Sequence, residues 1–88
     1  MTAPVEVLLY GRPGCHLCDE VRAEIGHLAT EHGWQLNLLE VDIESDEELF
    51  KRYLERIPVV VIEGEVVSEL LLDADALIGR IATVGADG

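Results

Sequence analysis

The chain reads Tyr10-Gly11-Arg12-Pro13-Gly14-Cys15-His16-Leu17-Cys18-Asp19 directly after a largely apolar run that begins at Val5. A Gly/Pro-rich turn breaks that run, and two cysteines then stand three positions apart where a helical pattern begins. This order predicts a strand, a loop and a pair of thiols at the N-terminus of a helix. Cys15 and Cys18 are the chain's two cysteines, so any cysteine chemistry takes place here.

Composition limits the classes of partner. The 88 residues are expected to form one domain, 1–88, with 49% hydrophobic residues for its core and a formal net charge of −12 largely on its surface. An acidic surface repels phosphate groups, so we expect no nucleic acid and no anionic membrane as partners.

The N-terminal residues carry neither a basic segment nor a long apolar one, and no apolar run approaches the roughly 18 residues of a membrane-spanning helix. We therefore expect a cytoplasmic protein. Thiols are mostly kept reduced in that compartment, where a close cysteine pair is typical of catalytic, redox-sensing or metal-binding sites.

Helical periodicity occurs in three segments. Residues 15–32 carry apolar side chains at three- and four-residue intervals, and Gly33 provides a left-handed cap. Ser45 and Glu48 form a capping-box pattern that begins a second helix, which ends before Ile57-Pro58. Its expected buried residues are Leu49, Phe50, Tyr53 and Leu54. Asp73 or Asp75 begins a third helix, whose apolar residues are Leu77, Ile78 and Ile81.

Four segments, residues 5–10, 35–42, 59–62 and 65–67, have the apolar and β-branched character of strands. Glu63-Gly64 fits the tight turn of a hairpin between the last two. The resulting order is β-α-β-α-β-β-α, in which the first two strands are parallel through a right-handed crossover and the closing hairpin is antiparallel. We predict an α/β fold with a four-stranded mixed sheet and helices on both faces.

This element order, the Cys15-His16-Leu17-Cys18 motif at the first strand–helix junction and Ile57-Pro58 before the third strand resemble the thioredoxin superfamily. The chain is most similar to its small glutaredoxin-like proteins, from Val5 to about Val84. The resemblance implies a thioredoxin fold and a thiol–disulfide oxidoreductase, in which Cys15 is the nucleophile and Cys18 the resolving thiol. It also implies a cis Pro58 lying against the dithiol, with the backbone of Ile57 presented to the substrate.

One departure from the family pattern concerns glutathione. Glutaredoxins tend to follow the fourth strand with paired glycines and then paired acids that hold the glutamyl end of glutathione. Here the stretch is Glu69-Leu70-Leu71-Leu72-Asp73-Ala74-Asp75, in which Asp73 and Asp75 could stand in for the paired acids and the glycines are absent. The three leucines read as core or, if exposed, as the apolar rim of a substrate groove. No cofactor is expected, and glutathione is a candidate co-substrate.

Thiol–disulfide exchange requires a thiolate, which the N-terminus of a helix stabilises through free N–H groups and a partial positive charge. Arg12 and Arg56 favour a thiolate at Cys15, whereas Asp19 and Glu20 oppose it. The candidate substrate-binding residues are Arg12, His16, Ile57 and Pro58.

Two other functions fit the same residues. A metal ion or iron–sulfur cluster could be bridged by the cysteines of two chains, because His27 lies about 18 Å along a helix from Cys15 and cannot join it. A redox-inert interaction module could retain the fold.

For the redox function we expect a monomer, whose partner is a disulfide-containing protein or a small thiol. Its electron donor is then a reductase or glutathione.

Overall fold

The computed structural model describes residues 4–85, and its elements follow the predicted order. The strands are β1 (Val5–Gly11), β2 (Leu36–Asp42), β3 (Val59–Ile62) and β4 (Glu65–Glu69). The helices are α1 (His16–His32), α2 (Glu47–Tyr53) and α3 (Ala74–Gly85). A short 3-10 helix, Ile43–Ser45, precedes α2 and was not predicted.

The four strands form one mixed sheet in the order β2-β1-β3-β4. β1 runs parallel to β2 and antiparallel to β3, and β3 runs antiparallel to β4. Tyr10 pairs with Val59, which pairs in turn with Glu69. The end of β1, the start of β3 and the end of β4 therefore share one edge of the sheet, and the turn with the two cysteines leaves from that edge.

Helices cover both faces of the sheet, as predicted. On one face α1 and α3 pack on the inner strands, through the buried residues Val7, Leu9, Val21, Ile25, Val60, Ile62, Leu77 and Ile81. On the other face the 3-10 helix and α2 form a second cluster with Ile43, Tyr53, Val59 and Val61. This is the α/β thioredoxin fold. No helix of the described residues is long and apolar enough to cross a membrane.

The predicted caps are partly confirmed. Gly33 ends α1 with φ 69°, in the left-handed conformation, and Asp73 accepts the backbone N–H of Ala76 at 3.0 Å at the start of α3. The prediction of a capping box at Ser45 is wrong, because Asp46 caps α2. Ser45 belongs to the 3-10 helix, where its hydroxyl donates to the carbonyl of Asp42.

Leu54 was expected to be buried and is 37% exposed. Leu54 is the C-terminal cap of α2, which ends at Tyr53, and it is not among the residues that pack on the cluster beneath the helix. The other three residues of that prediction, Leu49, Phe50 and Tyr53, pack on the second cluster.

Candidate functional site

Cys15 occupies the N-cap of α1, where its backbone is extended and its Sγ accepts the backbone N–H of Cys18 at 3.1 Å. Its carbonyl oxygen accepts from the N–H of Asp19, and its own N–H donates to the carbonyl of Arg12 across the Pro13-Gly14 turn. The sulfur therefore lies among the free N–H groups at the positive end of the helix, the position that stabilises negative charge on sulfur.

The two cysteines differ in exposure. Their Cα atoms are 5.2 Å apart and their sulfurs form an intramolecular disulfide. Cys15 is partly exposed, whereas Cys18 is buried, with 4% of its surface accessible. A visiting sulfur atom can therefore reach Cys15 and not Cys18. A close cysteine pair of this kind is a redox-type site.

Gly11, the last residue of β1, packs closely against the buried sulfur of Cys18. A Cβ atom placed on Gly11 would lie 2.7 Å from Sγ of Cys18, a distance that real side chains do not tolerate. In the sequence, Gly11 reads only as part of the turn. The signal that could have identified it is a glycine at the end of a central strand, which often marks a close approach of another group to the backbone.

The Ile57-Pro58 peptide bond is cis, as the resemblance implies. Pro58 is buried and Ile57 half-buried, directly before β3 and so at the sheet edge from which the cysteine turn leaves. The segment after β4 lies on this proline turn, because the N–H of Leu70 donates to the carbonyls of Pro58 and Arg56 at 3.0 and 3.1 Å. Leu70 has φ 66°, so its backbone is left-handed although the residue is not a glycine.

The two arginines expected to act on Cys15 are each held by a carboxylate. Arg12 forms an ion pair with Glu44 at 2.6 Å. Arg56 binds Glu69, with 2.8 Å between Nε and Oε2, and this hydrogen bond lowers the pKa of Glu69 and raises the pKa of Arg56. Both pairs carry no net charge, so the arginines favour a thiolate at Cys15 less than the sequence alone suggests.

A groove of about 230 Å³ lies beside the buried cysteine, between the start of α1 and the end of β2. Arg22 crosses the groove and binds the carboxylates of Glu40, at 2.5 Å, and Asp19, at 2.8 Å. These hydrogen bonds raise the pKa of Arg22, and the bond to Glu40 has the larger effect. The residues that line the groove are Leu9, Gly11, Arg12, Pro13, Cys18, Arg22, Glu40, Val41 and Asp42.

His16 follows Cys15 and projects into solvent. Its side chain is 86% exposed, and its Nε2 lies 3.8 Å from a carboxylate oxygen of Glu20. Within the described residues, no group of three or more His, Cys, Asp and Glu side chains is arranged to hold a metal ion.

The sequence profile of the glutaredoxin-like domain (DUF836) matches residues 6–82. The chain belongs to the glutaredoxin-like family. None of the curated proteins compared with it matches.

Solved structures carry the same fold. The solution structure of protein Ne2328 from Nitrosomonas europaea is 29% identical, with a TM-score of 0.81 over 91% of this chain and 94% of that one. A mutant of the thioredoxin-like protein BC3987 is 26% identical, with a TM-score of 0.57 over 83% of this chain and 95% of that one. Thioredoxin-2 of the malaria parasite, 22% identical, has a TM-score of 0.58 over 94% of this chain and 85% of that one, and shows the fold alone.

Proposed function

We propose that this glutaredoxin-like protein is a dithiol–disulfide oxidoreductase, which reduces or exchanges disulfides in a protein or a low-molecular-weight thiol compound. The observation that carries the proposal is the unequal pair at the start of α1, with Cys15 accessible on the helix cap and Cys18 buried behind it. A disulfide that closes so small a loop contributes little to stability, so a structural role explains the pair poorly.

In the reduced protein, the thiolate of Cys15 attacks one sulfur of a substrate disulfide and forms a mixed disulfide. The other substrate sulfur leaves as a thiolate and takes up a proton. Cys18 then loses its proton and attacks Sγ of Cys15, which closes the Cys15–Cys18 disulfide and releases the second substrate thiolate. Two electrons pass from the protein to the substrate, and a reductase or two molecules of glutathione return them.

The surroundings of Cys15 have separate roles in this scheme. The N–H of Cys18, 3.1 Å from Sγ of Cys15, stabilises the attacking thiolate, and we expect the pKa of that thiol below the value of about 8.5 for a free cysteine. The backbone of Ile57 orients the substrate beside Pro58. Arg12 and His16 border the approach to the sulfur.

Cysteine variants test the assigned roles. With a disulfide substrate, Cys18→Ser should accumulate a mixed disulfide at Cys15, because the resolving thiol is gone. Cys15→Ser should accumulate none, since the remaining thiol is buried. Mass spectrometry of the non-reduced protein measures the amount of mixed disulfide in both variants. A trapped adduct on Cys15→Ser and none on Cys18→Ser would reverse the roles.

Anaerobic purification separates this function from a cluster or metal carried between two chains. We expect a colourless protein without stoichiometric zinc or iron, in the cytoplasm and as a monomer. A coloured or zinc-bridged dimer that does not reduce disulfides would replace the proposal with the carrier function.

A further inference from the structure

We infer that the reduced dithiol attacks a disulfide whose cysteine lies in a basic, partly apolar stretch of polypeptide in preference to a disulfide of glutathione, and that Glu44 and Glu69 set this preference. The inference rests on the proposed function, since it names the substrate class of the same site. Three features of the surface around Cys15 lead to it.

The first feature is an exposed leucine rim, defined here as Leu17, Leu70 and Leu71, which are 39%, 49% and 70% exposed. Leu17 lies between the cysteines, and Leu70 is hydrogen-bonded to Pro58. The left-handed backbone of Leu70 is unfavourable for a residue with a bulky side chain. Apolar side chains at this place bind apolar side chains of a partner, which glutathione does not have.

The second feature is that the cations beside the site are occupied. Glutathione carries two carboxylates and one ammonium group, so it is an anion that needs cationic partners. Arg12 and Arg56 flank the cysteine turn and the proline turn, and Glu44 and Glu69 neutralise them. A glutathione carboxylate would have to compete with a carboxylate of the chain for either guanidinium.

The third feature is the sign of the remaining charge. The chain has a formal charge of −12. Glu20, Asp73 and Asp75 are exposed near the start of α1 and at the start of α3, the elements that begin at this edge of the sheet. This charge repels glutathione and attracts a lysine- or arginine-rich segment at long range, an effect that salt weakens.

The test uses mixed disulfides of one coloured leaving group, 2-nitro-5-thiobenzoate. Its partners are glutathione, a cysteine peptide flanked by leucine and lysine, and the same peptide with glutamate for lysine. Single-turnover rate constants of the reduced protein should be about tenfold higher for the lysine peptide than for either anionic substrate at low salt, with a smaller ratio at high salt.

Glutamine variants test the role of the two carboxylates. Glu44→Gln and Glu69→Gln each release an arginine, so the rate constant for the glutathione substrate should rise about three- to tenfold relative to that for the lysine peptide. The matched control is Glu65→Gln, which breaks the Arg80–Glu65 ion pair of 3.3 Å at the other end of β4 and should leave the ratio unchanged.

The leucine rim is tested by Leu71→Ser, which should lower the rate constant for the lysine peptide several-fold. Val66→Ser is its control, because Val66 is 42% exposed on the same strand–loop segment, far from the cysteines. Equal rates for the lysine peptide and glutathione, or an unchanged ratio in both glutamine variants, would overturn the inference.

A neutral substrate, bis(2-hydroxyethyl) disulfide, separates failure of this inference from failure of the proposed function. If the wild-type protein reduces it without preferring the lysine peptide, only the inference fails. If the protein reduces none of these disulfides, the proposed function fails with it.

Discussion

At the scale of single residues, the absence of a side chain at Gly11 leaves room for the Cys18 sulfur against the end of β1. A methyl group at Gly11 would lie 2.7 Å from that sulfur. In the oxidised protein the bond to Cys15 fixes the position of the Cys18 sulfur, whereas the reduced side chain is free of this tether. Gly11 therefore favours the closed disulfide over the open dithiol.

Gly11→Ala should make the Cys15–Cys18 disulfide easier to reduce, which raises the reduction potential of the pair. It should also lower the free energy of unfolding of the oxidised protein by about 1–3 kcal/mol, the usual cost of overpacking a core. Equilibration with dithiothreitol buffers measures the potential. Gly26→Ala is the control, because a Cβ on Gly26 meets nothing within 4 Å. Equal potentials in the two variants would contradict the role of Gly11.

A second effect at this scale concerns the Arg56–Glu69 pair. The hydrogen bond from Arg56 lowers the pKa of Glu69. A carboxylate whose pKa falls on folding stabilises the protein above its unfolded pKa, and this contribution is lost as pH falls through the folded pKa. Glu69→Gln should therefore destabilise the protein at pH 7, with a smaller effect as the solution becomes acidic.

Urea unfolding at several pH values measures this loss. In an Arg56→Gln background the pH dependence of the Glu69→Gln effect should disappear, because the partner that lowers the pKa is gone. A pH dependence that persists unchanged in that background would assign the shift to another cause.

At the scale of elements, the helices and strands were predictable because each has its own periodicity and its own boundary residues. The pattern of residues 15–32 identified α1 and placed Cys15 at its start, and Gly33 marked its end. The predictions that failed were choices between neighbouring residues with similar chemistry. Ser45 and Asp46 are both good caps, and only the 3-10 helix, which incorporates Ser45, decides between them.

Asp46→Ala should lower the free energy of unfolding by about 1 kcal/mol, the usual cost of losing an N-cap. The Asp46 carboxylate accepts from the N–H groups of Glu48 and Leu49 at 2.8 and 3.4 Å, and alanine leaves both without this partner. Ser45→Ala, which removes one exposed hydrogen bond to Asp42, should cost less. Urea unfolding compares the two, and a larger loss in Ser45→Ala would restore Ser45 as the cap.

At the scale of the whole molecule, three segments distant in sequence meet at one edge of the sheet. The cysteine turn and Ile57-Pro58 were identifiable because each carries a motif. The position of Leu70 against Pro58 was not, since it depends on the register of β3 with β4. The Arg12–Glu44 and Arg56–Glu69 pairs were likewise hidden, because sequence separation says nothing about which of many acids meets each arginine.

The excess of acids has a consequence for the stability of the whole chain. The molecule measures 37 × 21 × 18 Å. At 0.01 M ionic strength the screening length of about 30 Å spans most of it, whereas at 0.1 M, with a length of about 10 Å, only neighbouring charges interact. Added salt therefore relieves repulsion among distant acids before it weakens ion pairs in contact, and a formal charge of −12 makes the repulsion the larger effect.

The free energy of unfolding should accordingly rise by about 1 kcal/mol between 0.01 M and 0.1 M sodium chloride. Replacing Glu6, Glu24 and Glu55 together by glutamine should reduce this rise, because these exposed acids form no ion pair with any described residue and add only to the repulsion. Urea unfolding at the two salt concentrations measures both effects. If stability fell on adding salt, the local ion pairs would outweigh the repulsion among the distant acids in their effect on folding.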